Sequence, residues 1–236
     1  MREESESSKV WEVEVRSGSV ADGHGPLGAF YGRRVLRQEP SAPALVLGSG
    51  QRVDDELEAR AALSGLPVVR RNSGGGAVLV VPGQVLWVDV LVPRGDLLWD
   101  DDVGRSSAWL GATWVDALAG VGEAAEVVAA ASGAPIGRAV CFAGRTTGEV
   151  LVGGRKVVGV SQRRDRFGAR FQCAALVGFD AVESTVVPLV DLLGLGSSKG
   201  SGGSPVDEVR RVVGGVDASV DDLFAAFLAS LVNCAR

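Results

Sequence analysis

The sequence predicts an α/β fold of the α+β kind, in which a mixed, mostly antiparallel sheet is flanked by helices. The hydrophobic run Val85–Val92 has the length and continuity of a strand in the centre of a sheet. Val150–Val158 contains a Gly153-Gly154 pair, which satisfies both positive-φ positions of a type I′ turn and so predicts an antiparallel hairpin. Ser106–Ala119 has apolar residues at the spacing of a buried helix. A sheet covered by helices accommodates all three.

The first third of the chain is predicted to contain both strands and helices. Val10–Val15 alternates apolar and acidic residues, as a half-exposed strand does. Leu27–Gln38 places apolar residues at helical spacing and is predicted to be a helix. Leu45–Leu47 is predicted to be a short buried strand. A second helix is predicted to begin at Asp54, where acidic residues favour a helix N-terminus, and to stop at Gly65.

The segment Arg70–Ala77 (RRNSGGGA) joins two predicted strands, Pro67–Val69 and Ala77–Val81. We expect its three consecutive glycines to serve ligand approach rather than packing, because they leave backbone amides uncovered and permit positive φ. Successive exposed amides form an anion-binding concavity, and the two arginines add bidentate donors for phosphate or carboxylate. The alternative is a flexible hairpin loop with solvated arginines.

Strand alternation sorts the residues after the hairpin turn onto two faces of the sheet. One face is predicted to carry Lys156, Val158, Val160 and Gln162, and the other Arg155, Val157 and Ser161. Phe171–Val177 is predicted to return as the next strand. Glu123–Ala130 stays open between helix and strand, because the apolar run is too short to decide.

The region after Asp180 is predicted to be helical, with helices at Val190–Leu195, Val206–Val213 and Val220–Val232. A Gly/Ser-rich run at 196–204 has the composition of a flexible linker. The predicted organisation is therefore a disordered polar tail at 1–9, a main domain at 10–195, the linker at 196–204 and a C-terminal helical extension at 205–236.

Composition limits the classes of function. With 236 residues, 46% of them hydrophobic, the chain fits one large domain with a substantial core. Its net charge of −5 argues against general nucleic-acid binding, since a phosphate backbone requires a basic face. No apolar run is long enough to span a bilayer, and the polar N-terminus resembles neither a signal nor a transit peptide, so we expect a cytoplasmic protein without a membrane partner. Cys141, Cys173 and Cys234 are too few and too widely spaced for a disulfide framework or a zinc site, and no metal site is predicted.

Lysine is rare in this chain: Lys9, Lys156 and Lys199 are the three lysines among 24 basic residues. Lys9 lies in the predicted tail and Lys199 in the predicted linker, so only Lys156 falls in a predicted strand. Because arginine cannot replace a compact point charge, Lys156 is a candidate for a chemical role. The alternative is an exposed strand lysine. His24 is the only histidine, which disfavours a Ser-His-Asp or Cys-His mechanism.

Two segments carry a family resemblance. PVVRRNSGGGA at 67–77, followed by GGRKVVGVSQ at 153–162, resembles the lipoate–protein ligase and octanoyltransferase family, whose catalytic domain is similar to that of biotin–protein ligases. Weaker similarity runs from about Leu45 to about Leu176, which is more than half of the chain. The resemblance implies a biotin/lipoate protein ligase-like catalytic domain for the main domain.

The resemblance also implies a reaction. Members of the family join a lipoyl or medium-chain acyl group to a lysine of carrier domains, namely the lipoyl domains of 2-oxoacid dehydrogenases or the glycine cleavage H protein. The ligases activate lipoate or octanoate with ATP and Mg²⁺ to an acyl-adenylate. By resemblance, Lys156 would be the catalytic lysine, where its charge would stabilise negative charge in the transition state. The residues implied to bind the acyl-adenylate are Arg70, Arg71, Ser73, Gly74, Gly75, Gly76, Ala77, Gly159 and Gln162.

The chain departs from the family pattern at three places. Val80-Val81 stands where members commonly have His-Asp after the glycine loop. Gln172-Cys173-Ala174-Ala175 replaces the Gln-His-Gly-Ser or His-His-Gly-Thr pattern of the later strand. The residues after Asp180 are too few for the separate accessory domain that the ligases usually have. These departures leave open which polar contacts carry over and whether the protein ligates without an accessory subunit.

Cys141 separates two enzyme hypotheses. The segment Ala139-Val140-Cys141-Phe142 resembles the cysteine-bearing segment of one octanoyltransferase type, in which the acyl group comes from an acyl carrier protein and forms a thioester with the cysteine. The alternative is a small core cysteine, as we expect for Cys173. The leading hypothesis is a lipoate–protein ligase. The others are an octanoyltransferase that uses Cys141, and a non-catalytic acyl-adenylate binder or one subunit of a two-part ligase.

Overall fold

The computed structural model describes residues 10–133, 135–197 and 204–234, so the predicted tail and most of the predicted linker lie outside the described residues. The strands of these residues are, in chain order, β1 (Glu12–Gly18), β2 (Arg34–Pro40), β3 (Ala44–Leu47), β4 (Val68–Arg70), β5 (Val78–Val80), β6 (Val85–Pro93), β7 (Ala125–Val127), β8 (Ser132–Gly133), β9 (Gly144–Arg145), β10 (Val150–Val152), β11 (Arg155–Arg164) and β12 (Gly168–Leu176). The α-helices are α1 (Val20–Gly23), α2 (Asp55–Leu63), α3 (Ala108–Gly120), α4 (Val187–Leu192), α5 (Pro205–Val212) and α6 (Val220–Cys234).

One large sheet organises the fold. Its strands lie in the order β1-β2-β6-β12-β11-β10-β7, and a smaller sheet has the order β4-β3-β5. In the large sheet, β1 and β2 pair in parallel and each of the other neighbouring pairs is antiparallel. The predicted mixed, mostly antiparallel sheet is therefore confirmed.

The two faces of the large sheet bury different cores. On one face, α3 and α6 cover the sheet and pack against each other, with the rings of Trp114 and Phe227 stacked at 4.3 Å between centroids. The other face carries the small sheet, α2, α4 and α5, whose apolar side chains pack with Trp87 and Leu176. Both cores stabilise the chain by removing apolar surface from water. The candidate site lies on the second face, beside the small sheet.

The predicted helix at Leu27–Gln38 is wrong, because this segment supplies β2 to the large sheet. Val35 and Leu36 are adjacent and both fully buried, as in a strand that is covered on both faces. Tyr31, which the helical spacing placed on an apolar face, is 85% exposed. Pairing with β1 and β6 therefore overrides the local spacing.

The predicted hairpin at Val150–Val158 is present, and both turn glycines have positive φ, 55° for Gly153 and 73° for Gly154. The predicted faces of β11 are wrong. Val150 pairs with Val158 while the next residue, Leu151, pairs with Lys156, so Val157 is the extra residue of a β-bulge.

The bulge shifts the alternation of the side chains. As a result Val158 lies in the core under α3 and α6, whereas Lys156 turns to the opposite face. Ser161, predicted to face away from Lys156, hydrogen-bonds Ser73 of the glycine loop on the side of the site. A bulge beside a candidate site re-aims one side chain, here the lysine.

The C-terminal helices pack onto the main body of the fold. Val209 and Val213 lie in the core beside the small sheet, and Val213 forms a parallel bridge with Lys156. Val216 forms a similar bridge with Val177 at the end of β12. The division at 196–204 remains a prediction. Within the described residues, no helix combines the length and the apolar character that crossing a membrane requires.

Candidate active site

Two adjoining spaces lie on the site face of the large sheet. The first is an open cleft of about 900 Å³, within the range of ligand sites in proteins. The second is an apolar pocket of about 50 Å³. Four residues line both spaces and form the boundary between them: Arg71, Cys141, Val160 and Ser161. We call these spaces the cleft and the apolar pocket.

Lys156 is the central charged residue of the cleft. Its side chain is 1% exposed, and its Nζ donates to the carbonyl oxygens of Cys141 and Gly144, both at 2.9 Å, and to Glu149 Oε1 at 2.7 Å. The ammonium also lies 5.6 Å from the centre of the Phe142 ring. The exposed-strand alternative is therefore excluded, because the side chain is buried and paired with a carboxylate.

Glu149 pairs with Lys156 and was not singled out from the sequence. Its carboxylate accepts from the backbone amides of Thr146 at 2.7 Å and Val160 at 3.4 Å, in addition to Lys156. It is 4% exposed and immediately precedes β10. The sequence did contain a signal for Glu149. It immediately precedes an apolar run that forms a hairpin with the strand of Lys156, and a carboxylate buried at such a place needs a cationic partner.

The glycines of the loop serve three different purposes. Gly76 packs against another segment, because a Cβ atom there would lie 2.7 Å from the backbone nitrogen of Cys141. Gly75 has a φ of 98°, and its carbonyl oxygen fills the space where a Cβ of Gly48 would stand. Gly74 has open space beside it. The expectation that packing plays no part in the glycine run is therefore wrong for Gly76.

The backbone amides of the loop are available to a ligand. Among the described residues, none accepts a hydrogen bond from the amides of Gly74, Gly75 or Gly76, and these three glycines line the cleft. The next amide, that of Ala77, donates to Ala139 at 2.6 Å. Ala77 is fully buried and does not line the cleft.

The two arginines of the loop point in different directions. Arg71 is 5% exposed, and its Nη2 donates to the carbonyl oxygens of Gly74 and Gly76, both at 2.8 Å. Arg71 therefore holds the loop in place. It also lines both the cleft and the apolar pocket. Arg70 is exposed, and its Nη1 donates to carbonyl oxygens that precede α2, with Gln51 O at 2.5 Å. It does not line either space.

The other predicted binding residues lie near the boundary. Ser73 Oγ donates to Ser161 Oγ at 3.1 Å, which joins the loop to β11. Gly159 lines the apolar pocket, and a Cβ atom there would lie 3.7 Å from Lys156 Nζ and 3.9 Å from Cys141 Sγ. Gln162 lines the cleft and hydrogen-bonds Ser106 Oγ at 2.9 Å.

The cysteines have different surroundings. Cys141 is half-buried on the boundary between the two spaces, with its amide bonded to Ala77 O at 3.0 Å. Cys173 is fully buried, as expected of a core residue, and burial raises the pKa of its thiol to about 12. The side chain of Cys234 lies outside the described part of the chain. No cluster of three or more His, Cys, Asp or Glu in the described ranges could hold a metal ion.

Two arginines at the cleft were not singled out from the sequence. Arg138 is exposed and lines the cleft, and its side chain has no hydrogen bond or ion pair to any residue that the structure describes. Arg145 also lines the cleft and donates to Gly154 O at 2.5 Å. The acid that lines the cleft, Glu149, is neutralised by Lys156. The cleft is therefore positive in a chain of net charge −5.

His24 and Trp87 line the apolar pocket and not the cleft, with ring centroids 4.5 Å apart. The pKa of His24 is lowered from 6.5 to about 4, mainly by burial and further by the positive charges of Arg170 and Arg71. The ring is therefore neutral near pH 7. The sequence offered only the isolated histidine as a signal, and its distance along the chain from β12 hid the contact with Gln172.

These features define an α+β domain in which the buried Lys156 lines a positive cleft that adjoins an apolar pocket, an arrangement suited to ligation or transfer of a group with an apolar chain. Residues 31–232 match the model of the lipoyl protein ligase A/B catalytic domain. The chain belongs to this family, which supports a role in lipoate ligation in general. A search of curated proteins finds no match.

Solved structures share the fold at low sequence identity. A bi-partite lipoate protein ligase from Thermoplasma acidophilum aligns at a TM-score of 0.67 and 14% identity, covering 95% of this chain and 83% of that one. A lipoate-protein ligase A bound with ATP aligns at a TM-score of 0.63 and 17% identity, covering 95% of this chain and 85% of that one. The T. acidophilum protein Ta0514 with bound lipoic acid aligns at a TM-score of 0.62 and 17% identity, covering 87% of this chain and 74% of that one. These likenesses establish the fold.

Proposed function

We propose that this chain is a lipoate–protein ligase, which activates lipoate or octanoate with ATP and Mg²⁺ and transfers the acyl group to a lysine of a lipoyl carrier domain. The observation that carries the proposal is the position of Lys156. It is buried beside the boundary between the cleft and the apolar pocket, on the strand that follows the family's Gly-Gly turn. A carboxyl group at this boundary would lie next to the ammonium.

The two spaces fit the two parts of an acyl-adenylate. The apolar pocket suits an aliphatic chain, and the larger positive cleft suits a nucleotide. The amides of the exposed residues Gly74 and Gly75 and the guanidinium of Arg138 have no partner among the described residues, so they are candidate donors to phosphate oxygens. Structures of the same fold were solved with lipoic acid and with ATP, which supports both occupants.

The chemistry proceeds in two steps. First, a carboxylate oxygen of the acid attacks the α-phosphorus of ATP, and pyrophosphate leaves. Second, the neutral amine of the acceptor lysine attacks the acyl carbonyl, AMP leaves, and the amine gives up a proton as the amide forms. Negative charge builds on phosphate or carbonyl oxygens in both steps, and a fixed ammonium stabilises it.

Lys156 must exchange a partner before it can act on the substrate. Its Nζ already donates to two carbonyl oxygens and to Glu149. An ammonium has three donors, so a bond to the substrate replaces one of these. We assign Glu149 the role of pairing with Lys156 and orienting it in the free site, and we expect its bond to be the one exchanged, because the incoming phosphate carries the same negative charge.

The proposed partners are lipoyl domains of 2-oxoacid dehydrogenases or the glycine cleavage H protein, and the proposed location is the cytoplasm. One structural neighbour is a bi-partite ligase studied with its E2 lipoyl domain. By that likeness an accessory subunit is a further proposed partner.

The direct test is to incubate the purified chain with a lipoyl domain, lipoate and Mg-ATP and to follow the intact mass of the acceptor. We expect a mass gain that requires ATP and the acceptor lysine. Replacing that lysine with arginine in the acceptor is the matched control. If the acceptor gains mass only after a second protein is added, the chain is one subunit of a two-part ligase. Binding of lipoate and ATP without turnover under either condition would contradict the ligase.

A second candidate is an octanoyltransferase, favoured by the half-buried position of Cys141 on the boundary. Its thiolate would attack the thioester carbonyl of octanoyl carrier protein and release the carrier thiol. The acceptor lysine would then take the acyl group from Cys141. This reaction needs no ATP and passes through an octanoyl thioester on Cys141, which should accumulate when the acceptor is omitted, and an active Cys141→Ala variant would exclude it.

A further inference from the structure

Besides the boundary residues Arg71 and Ser161, three residues with polar side-chain atoms, His24, Trp87 and Gln172, form a group in the lining of the apolar pocket. These three residues line the apolar pocket and not the cleft. The rest of the lining is chiefly aliphatic, with Val78, Val80 and Val85. In a site that otherwise suits a plain hydrocarbon, a histidine and a glutamine need another explanation.

A buried network fixes His24 in this position. Arg170 donates to the carbonyl oxygens of Gly23 and Gly25, the two residues that flank His24, and pairs with Asp89 at 2.6 Å. Asp89 is fully buried. It also accepts from Trp87 Nε1 at 3.1 Å, so the same carboxylate that anchors the His24 loop orients the indole.

The loop is also fitted to the indole. A Cβ atom at Gly23 would lie 2.5 Å from the Trp87 ring, so the backbone passes directly over it. The centroid of the His24 ring lies 4.5 Å from that of the Trp87 ring, and His24 Nδ1 lies 3.3 Å from Gln172 Nε2. With the amide as donor, Nδ1 is the acceptor and the proton resides on Nε2. Nε2 has no hydrogen-bond partner among the described residues.

We propose that His24 is a specificity-determining residue that makes the apolar pocket prefer an acyl chain ending in a dithiolane ring over a plain alkyl chain of the same length. This inference rests on the proposed function and names its acid as lipoate rather than octanoate. Sulfur makes favourable contacts with aromatic rings, and it accepts a hydrogen bond weakly. An alkyl end would instead cover the imidazole N–H without offering an acceptor.

The test is calorimetric titration of the chain with lipoate and with octanoate, without ATP or acceptor. We expect lipoate to bind about 2- to 10-fold more tightly than octanoate. His24→Leu should abolish the preference, chiefly by weakening lipoate. His24→Phe, which keeps a ring, should retain part of it. Equal affinities in the wild-type chain, an unchanged ratio in His24→Leu, or no binding of either acid would overturn the proposal.

Two further measurements separate this inference from its foundation. Gln172→Leu releases Nδ1 without altering the histidine and should reduce the preference; it also serves if His24→Leu fails to fold. The acceptor mass assay is run in parallel. A retained preference for binding lipoate, with no ATP-dependent transfer, would contradict the proposed ligase activity and support the proposed role of His24 in acyl-chain specificity. Transfer of lipoyl and octanoyl groups with equal efficiency and equal affinity would support the ligase and contradict the selection.

Discussion

The cleft and the apolar pocket share four boundary residues and differ in almost everything else. The cleft is open, about 900 Å³, and positive, with the buried Lys156 and with Arg138, whose guanidinium has no partner in the described part of the chain. The apolar pocket has about 50 Å³ and an uncharged histidine. The cleft can admit a ligand as it stands, whereas the apolar pocket must widen to admit an acyl chain.

The difference shows where each part of the site obtains its rigidity. In the cleft, Lys156 is held by two backbone carbonyls and by its ion pair with Glu149, and these directional bonds fix the position of its ammonium. Aliphatic walls such as Val78 and Val80 have no such directional bonds and can repack at small cost. We therefore expect substitutions of charged residues in the cleft to act on catalysis and stability, and substitutions in the apolar pocket, including those of His24 and Gln172, to act on the choice of acyl chain.

The largest effect is expected for the charge pair of the cleft. Glu149→Gln leaves the Lys156 ammonium buried without its counter-charge, which should lower the free energy of unfolding by about 3–5 kcal/mol. Urea denaturation measures this, with Glu126→Gln, at an exposed residue of β7, as the control. An equal effect of the two substitutions would mean that the pair is solvated.

The next effect concerns the charge of Lys156 in catalysis. Lys156→Met combined with Glu149→Gln removes both charges, so the fold should recover most of the stability lost in the single variant. Acyl transfer should nevertheless fall by about 10²–10³-fold, the loss typical for removal of one donor to a developing oxyanion. Arg155→Met, at the exposed neighbouring cation, is the control. Transfer at more than a tenth of the wild-type rate in the double variant would remove Lys156 from the mechanism.

A pH effect is expected at the apolar pocket. The pKa of His24 is about 4 in the folded chain and near 6.5 when unfolded, so the unfolded chain binds more protons between these values. Stability should therefore fall as the pH falls from 6.5 toward 4, with an upper limit of about 3 kcal/mol for this group. Thermal melting of the wild-type chain and His24→Leu across this range measures it. If both lose stability equally, His24 is not the titrating group.

A smaller effect is expected at the edge of the cleft. Arg138→Ala should raise the KM for ATP by about tenfold, the equivalent of one charge-assisted hydrogen bond to phosphate. The KM for lipoate should stay unchanged, because Arg138 does not line the apolar pocket. Arg94→Ala, at an exposed arginine that lines neither space, is the matched control. A rise in both KM values would indicate a structural role.

Much of this arrangement follows from local sequence. The Gly153-Gly154 turn is encoded by two glycines, which adopt positive φ without steric cost, and the isolation of Lys156 in an arginine-rich chain singled it out. The β2 strand was mistaken for a helix because the strand is buried on both faces. Its apolar residues therefore do not alternate with polar ones as they do in a half-exposed strand.

The remaining features depend on contacts between distant segments. The bulge at Val157, which turns Lys156 toward the site, arises from pairing with β10 and has no sequence signature of its own. His24 reaches the apolar pocket only because Arg170, which follows it by more than a hundred residues, binds the carbonyl oxygens on either side of it. Such contacts are set by the tertiary fold.

We propose that the cleft and the apolar pocket are two parts of one acyl-adenylate site, with Lys156 beside the boundary between them. A crystal structure with a non-hydrolysable lipoyl-adenylate analogue tests it most directly. We predict the acyl chain in a widened apolar pocket with its ring beside His24 and Trp87, the nucleotide in the cleft, and Lys156 Nζ transferred from Glu149 to the phosphate or carbonyl oxygen. An acyl chain bound outside the apolar pocket, or Lys156 still paired with Glu149 and out of reach of the analogue, would contradict the account.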